Sequence, residues 1–261
     1  NAEKIKNKRV SNGLIKSRDY FEISLKLVTI DDEVPIEFEI EDFIRKNING
    51  EDFLKLLQNY ELYSLQKHIE DIFIDENINN NISKVEKKYT LIKSINELKF
   101  LCEKIKKSKL IAIDTETNSI NPLLAELVGI SVSIKENEGY YIPILGLETE
   151  KLLELNQVIK ILNPILSDPK IKKCGQNIKY DIIVLNNAGF IINGIEFDTM
   201  IAAHIINPAI NEYKLDFLSQ QYLGYSMMPI TKLIGETKNQ ITMDRVSVDK
   251  TSFYASEDAD I

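Results

Sequence analysis

The sequence predicts an α/β domain over residues 89–261, preceded by a small, mainly helical block. Three observations predict it. From Tyr89 onward, short apolar runs of strand length alternate with segments of helical period. Their order, three strands, a helix, a strand and a helix, is that of a mixed sheet with helices packed on it. Residues 75–88 (DENINNNISKVEKK) are polar, Asn-rich and almost free of large apolar groups, a linker composition that separates this block from residues 1–74.

In residues 1–74, positions 24–30 (SLKLVTI) form a short apolar segment, and Pro35 biases Val34 toward extended backbone. From Glu41 the pattern is of short amphipathic helices, with Phe53, Leu54, Leu56, Leu57 and Tyr60 at helical spacing, then Leu62, Leu65, Ile69 and Ile72. Asp19, Glu22, Asp31, Asp32 and Glu33 read as a solvated face and turn. After the linker, residues 90–92 make a strand. Ser94 and Glu97 form a capping box, which opens a helix with Leu98, Leu101, Cys102 and Ile105 on one face. Residues 110–114 (LIAID) are a buried-strand run, 127–134 (LVGISVSI) alternate as a second strand, and 140–144 are a third. Residues 152–166 are helical and 171–174 form a further strand. A helix over 177–188 stops at Gly189, and others follow at 199–206, 215–223 and from Thr251 onward.

The chain has 261 residues and an apolar fraction of 44%, enough to support a buried core. Its net charge of -8 gives no long-range attraction for nucleic acid. A site made of carboxylates would nevertheless draw cations, and bound cations reverse the local sign. Cys102 and Cys174 stand far apart, which suits packed thiols in a reducing compartment and offers no zinc spacing. No apolar run reaches the length of a membrane span, and no membrane partner is expected. The abrupt ends read as those of a piece excised from a longer protein.

Asp114 and Glu116 close the LIAID run. Side chains two apart on a strand point the same way, so both carboxylates share one side of the sheet. Half-buried like charges repel unless something positive neutralises them, and oxygen ligands suit Mg²⁺ or Mn²⁺. Alone, such a pair reads as an exposed strand end. Asp181 falls one turn into the helix expected from Asn177, beside Ile178, Ile182 and Leu185, where alone it reads as a first-turn acid serving the helix dipole. Tyr254 and Asp258, four apart, place a phenol and a carboxylate on one helix face. Asp258 also falls in the last turn, where carbonyls lack intrahelical partners and helices fray.

Taken together, IDTET at 113–117, GQNIKYD at 175–181 and YASEDAD at 254–260 resemble, in order and spacing, the three exonuclease motifs of the DEDD superfamily, Tyr subtype. AELVGIS at 125–131, FDTM at 197–200 and KNQ at 238–240 resemble the proofreading domain of bacterial family-A DNA polymerases, the DNA polymerase I family. LVTI at 27–30 and DEVP at 32–35 resemble the tail of the 5′ nuclease domain of those polymerases. The resemblance implies a ribonuclease-H-like mixed sheet flanked by helices. It implies a remnant of a 5′ nuclease-like domain at 1–74, a linker at 75–88 and a 3′→5′ exonuclease domain at 89–261 whose last helix is truncated.

The same resemblance implies catalysis with two divalent cations, Mg²⁺ or Mn²⁺. Asp114, Glu116 and Asp258 would hold one. Asp114 would bridge to a second, placed by Asp181 directly or through water, and Tyr254 would orient the attacking water. The substrate would be the single-stranded 3′ end of a DNA primer, cut to nucleoside 5′-monophosphates. Thr115 and Asn177 would support the ligands, Ile120 would wedge against the terminal base and Tyr180 would meet the strand. The family often carries an aromatic side chain where Ile230 stands. Lys179 reads either as a phosphate contact or as a solvated lysine, and His68 and His204 as structural or surface residues. A monomeric cytoplasmic bacterial protein near the nucleoid, with a covalently linked polymerase domain in the parent chain, is expected. The alternatives are a ribonuclease D-like RNA exonuclease and a non-catalytic exonuclease-like spacer.

Overall fold

The computed structural model describes residues 2–35 and 87–261, except 151, 211 and 237–239, together with scattered positions between 43 and 65. Residues 75–86 of the expected linker, most of the helical runs expected at 53–72, His68, Lys238 and Asn239 lie outside the described residues. The chain divides into two compact units, Asn1–Ile48 and Asn49–Ile261. In the first, helix α1 (Lys8–Lys16) is capped by Asn7, whose side chain accepts from the amides of Arg9 and Val10. Helix α2 (Phe21–Val28) takes in most of the apolar segment at 24–30.

The second unit is built on a six-stranded sheet. Its strands are β1 (Lys88–Leu91), β2 (Leu110–Thr117), β3 (Leu127–Lys135), β4 (Glu138–Pro143), β5 (Lys172–Gly175) and β6 (Ile195–Asp198), in the spatial order β1-β4-β3-β2-β5-β6. The β2–β3 and β3–β4 pairs are antiparallel, and the others are parallel. Strand β2 thus lies inside the sheet, where its loops and ends meet both halves.

Helix α3 (Ile95–Ile105) starts at the expected capping box, with Ser94 accepting from the Glu97 amide and Glu97 returning to the Ser94 amide. Its buried Leu98, Leu101 and Ile105 share one core with Val158, Leu162 and Ile165 of α4 (Leu155–Leu166) and with Ile111, Ile113, Ile130 and Ile142 of the sheet. Each such side chain stabilises the fold by roughly 1.5–3 kcal/mol relative to exposure. Lys173, fully buried, donates to the carbonyls of Ile165 and Asp168 at 3.1 and 2.7 Å and closes the C-terminal end of α4. Helices α5 (Lys179–Asn187), α6 (Thr199–Ile206), α7 (Leu215–Leu223) and the short α8 (Thr231–Ile234) follow, and α9 (Val248–Asp260) packs across β4, β3, β1 and β2. Strand β6 and helix α8 are not anticipated by the sequence pattern. Four residues each give too few repeats to define a period.

Small residues seat α9. A Cβ added to Gly139 of β4 would lie 2.7 Å from both the Cβ and the carbonyl oxygen of Ser256, so glycine is what lets the helix backbone approach the sheet. The final turn does not stand free. Asp260 accepts from the Tyr89 hydroxyl at 2.8 Å and from the Asn137 amide at 2.6 Å.

Candidate active site

Strand β2 runs on through Thr117, past the LIAID run at 110–114, because β3 pairs with it to Thr117 across a bulge after Glu116. Alternation gives Ile111 and Ile113 to the core and turns Asp114 and Glu116 to the other face, the one α9 covers. Asp114 stands opposite Ser131 and Glu116 opposite Gly129. The Tyr141 ring lies over Gly129, where an added Cβ would fall 2.3 Å from the hydroxyl oxygen.

Asp181 comes from α5. The helix starts at Lys179, two residues later than expected, because Asn177 has φ +54° and precedes it. Asparagine tolerates this left-handed backbone better than most residues. The resulting turn is held from outside by Asp198, which accepts from the amides of Asn177 and Ile178 at 3.2 and 3.0 Å. Asp198 also caps α6 through the amides of Met200 and Ile201. Asp181 is buried and lies against β2, and its Oδ1 accepts from both the amide and the hydroxyl of Thr115.

Tyr254 and Asp258 stand on one face of α9, as their spacing requires, and the phenol is close enough to act on the charge of the carboxylate. One carboxylate oxygen from each of Asp114, Glu116 and Asp258 lies within 4.8 Å of the others. Asp181 is outside this trio, held by Thr115, yet close enough to act on the charge of Asp114 and Glu116.

The electrostatics follow from burial. Desolvation raises Asp114 well above the carboxylate range, with the charges of Asp181, Asp258 and Glu116 adding to it. Desolvation does the same to Glu116, aided by Asp258 and Asp181. Burial lifts Asp181 to about 7 against the bonds from Thr115, and lifts Asp258 to about 7 against the opposing influence of the Tyr254 hydroxyl. Burial and then Asp258 push the Tyr254 phenol far up. One oxygen of Glu116, Oε1, is buried without a hydrogen-bond partner. An all-oxygen donor set, mutual repulsion and an orphaned carboxylate oxygen fit a hard divalent cation.

A cleft of about 680 Å³ opens above these acids, with Ile120, Ile230 and Ile234 among its lining residues. Ile120 is 98% exposed at the rim. The Tyr180 hydroxyl is used within the chain: it donates to the Ser119 carbonyl at 2.5 Å and lies 2.7 Å from the Thr117 hydroxyl, which steadies the loop bearing Ile120. Lys179 is exposed and bonds the Asn177 side chain. His204 is exposed, edge-on to Tyr213. The bridging role of Asp198 escapes the sequence pattern, although an Asp just before a helix was a usable capping signal.

Residues 89–261 match the family model of the 3′-5′ exonuclease of family-A DNA polymerases. DNA polymerase I of Borreliella burgdorferi is 36% identical over 276 residues, covering 98% of this chain and 29% of that protein. DNA polymerase I of Pseudomonas aeruginosa is 36% identical over 163 residues, covering 61% of this chain and 18% of that one. The chain therefore spans less than a third of the length of these relatives. Among solved structures, Escherichia coli RNase D, an exoribonuclease involved in structured RNA processing, aligns with a TM-score of 0.50 at 21% identity, covering 66% of this chain and 42% of its own. The fold is ribonuclease-H-like: a mixed six-stranded sheet flanked by helices.

Proposed function

Because the chain belongs to the 3′-5′ exonuclease domain family of family-A DNA polymerases, we propose that residues 89–261 hydrolyse the last phosphodiester at a DNA 3′ end and release nucleoside 5′-monophosphates. One observation carries this: the oxygens of Asp114, Glu116 and Asp258 converge within 4.8 Å beneath an open cleft. These three would hold one Mg²⁺ or Mn²⁺, and Asp114 with Asp181 would hold a second. Bound there, the cations would supply an activated water and neutralise charge on the attacking and leaving oxygens.

The chain's own residues align the reactants. The Tyr254 phenol, pushed up by burial, stays protonated and acts as an orienting hydrogen-bonding group for the water, not as a base. Thr115 fixes Oδ1 of Asp181, so the carboxylate keeps one rotamer. Asn177, through its left-handed turn, sets where α5 begins. Ile120 and Ile230 grip the frayed terminal nucleotide between rim and wall. No covalent enzyme intermediate is needed.

In this reading residues 1–74 are the remnant of a 5′ nuclease-like domain, joined by the 75–88 linker. The exonuclease edits the primer terminus for a covalently linked polymerase domain, as a monomer in the bacterial cytoplasm. The test is degradation of 5′-labelled DNA and RNA strands of one sequence with Mg²⁺ and with EDTA. A metal-dependent ladder from the 3′ end of DNA is expected. Preference for RNA would favour a ribonuclease D-like enzyme, and an inert chain would favour a non-catalytic spacer.

A further inference from the structure

Glu257 lies between Tyr254 and Asp258 of the third motif, yet its carboxylate is bonded outside the acid cluster. It is 1% exposed. Its Oε1 accepts from the Tyr225 hydroxyl at 2.5 Å and its Oε2 from the Met228 amide at 2.7 Å. Lys87 Nζ lies 3.8 Å from Glu257 and from Asp260, and 3.7 Å from the centre of the Tyr225 ring. The segment so held leads, two residues after Met228, to Ile230 on the cleft wall and then into α8, whose Ile234 also lines the cleft. One rigid helix therefore presents Asp258 to the acid cluster and, from the adjacent position, grips the wall that faces the strand.

We propose that Glu257 is a positioning residue for the bound 3′ end: it clamps residues 225–228 to α9 and so fixes Ile230 against the terminal nucleotide. The proposal rests on the exonuclease reading above. A buried carboxylate with both oxygens satisfied holds its partners firmly, because releasing either leaves a polar group unpaired. Metal binding does not depend on the clamp, since α9 is also held by Asp260 and by its packing on the sheet.

The experiment compares Tyr225→Phe and Glu257→Gln with the wild-type chain. Hydrogen exchange at 225–230 is read by mass spectrometry, and release of mononucleotides from single-stranded DNA gives KM and kcat across a Mg²⁺ titration. Tyr225→Phe leaves the α9 sequence intact, so it decides the matter if Glu257→Gln fails to fold. The expected result is faster exchange at 225–230 and KM raised about fivefold in both variants, with kcat and the Mg²⁺ midpoint unchanged in Tyr225→Phe, which keeps the Glu257 charge beside Asp258. Unchanged exchange and KM in Tyr225→Phe would overturn the clamp. So would a shifted Mg²⁺ midpoint at unchanged KM, which would make Glu257 a support of the acid cluster instead. A wild-type chain inert toward DNA would sink the exonuclease reading, while unchanged or faster exchange at 225–230 would still decide whether the clamp exists.

Discussion

The amide and the hydroxyl of Thr115 both donate to Oδ1 of Asp181, at 2.9 and 2.6 Å. The residue between Asp114 and Glu116 thereby locks the acid of the second motif to the strand of the first. Thr115→Val keeps the β-branched shape and the amide bond but removes the hydroxyl. A group that orients a metal-binding carboxylate is worth about 10- to 100-fold in metal affinity or activity. We expect Thr115→Val to lower exonuclease activity by about tenfold and to raise the Mg²⁺ midpoint, with the thermal midpoint shifted little. Rescue of the rate by excess Mg²⁺ or Mn²⁺ would be read in the same titration, and wild-type activity at limiting metal would contradict the role given to Thr115.

The acid cluster should contribute to the pH dependence of the metal-free protein. Asp181 and Asp258 are raised from an ordinary 3.8 to about 7 in the fold. A carboxyl whose folded pKa lies above its unfolded value binds its proton more tightly when folded. Stability is then greatest below pH ~4 as far as these groups are concerned, and falls as pH rises toward ~7. In EDTA the Tm should decrease across that window, over and above the contribution of other carboxylates. Mg²⁺ should flatten the decrease at its upper end by neutralising the ionised acids. Asp258→Asn should flatten it without metal. Identical Tm profiles for wild type and Asp258→Asn in EDTA would show that the cluster is not under charge strain.

Much of this was legible in the sequence where the signal is local. The capping box at Ser94 and Glu97, the run at 110–114 and the helices Thr199–Ile206 and Leu215–Leu223 each follow from spacing alone. The pairing of Asp114 with Glu116 follows from strand alternation, and that of Tyr254 with Asp258 from the helical turn. What was not legible depends on tertiary partners. The two-residue delay of α5 reflects the left-handed Asn177 and the distant carboxylate of Asp198. Likewise, Tyr180 has the contour of a strand-binding residue, but its hydroxyl is occupied by Ser119 and Thr117 within the chain.

Gly139 tests the seating of α9. An alanine there would place its Cβ 2.7 Å from the Ser256 carbonyl oxygen, and a helix backbone cannot yield as a flexible side chain does. Overpacking of this kind typically costs about 1–3 kcal/mol. Gly139→Ala should lower the midpoint of chemical denaturation accordingly. It should also reduce activity more than its stability loss explains, because lifting α9 moves Asp258 from Asp114 and Glu116. A destabilised but fully active variant would show that the sheet, not the helix, gives way.

Ile120 tests the rim. Its side chain is 98% exposed, an unusual setting for a branched apolar residue beside a cleft. Removing it should cost the fold less than about 0.5 kcal/mol, as for other surface substitutions. If it wedges against the terminal base, Ile120→Ser should raise KM for a base-paired 3′ end more than for a single strand, because only the paired end must be prised open. Equal KM changes on both substrates would leave Ile120 a general contact, and no change on either would remove it from the binding surface.

The last turn of α9 carries the final prediction. Asp258 must keep its place against Asp114 and Glu116, and it lies two residues before Asp260 on α9. The fold answers with Asp260, bonded to Tyr89 of β1 and to the Asn137 amide of the β3–β4 turn, with Lys87 at 3.8 Å. Strand β1 and the β3–β4 turn thereby pin the part of α9 that would hold a cation in the proposed function. Asp260→Ala removes both bonds while leaving every residue of the acid cluster in place. The turn should then open more often, and metal affinity falls by the fraction of time it is open. The Mg²⁺ midpoint should rise by roughly 3- to 10-fold, at or below the ~10-fold lower edge for groups that bond a ligand directly, while kcat at saturating Mg²⁺ stays near wild type. Tyr89→Phe, which loses one of the two bonds, should fall between. Amide exchange at 257–260 separates the causes: faster exchange with a raised midpoint supports the pin. An unchanged midpoint despite faster exchange would show that the cation itself, once bound, orders the turn.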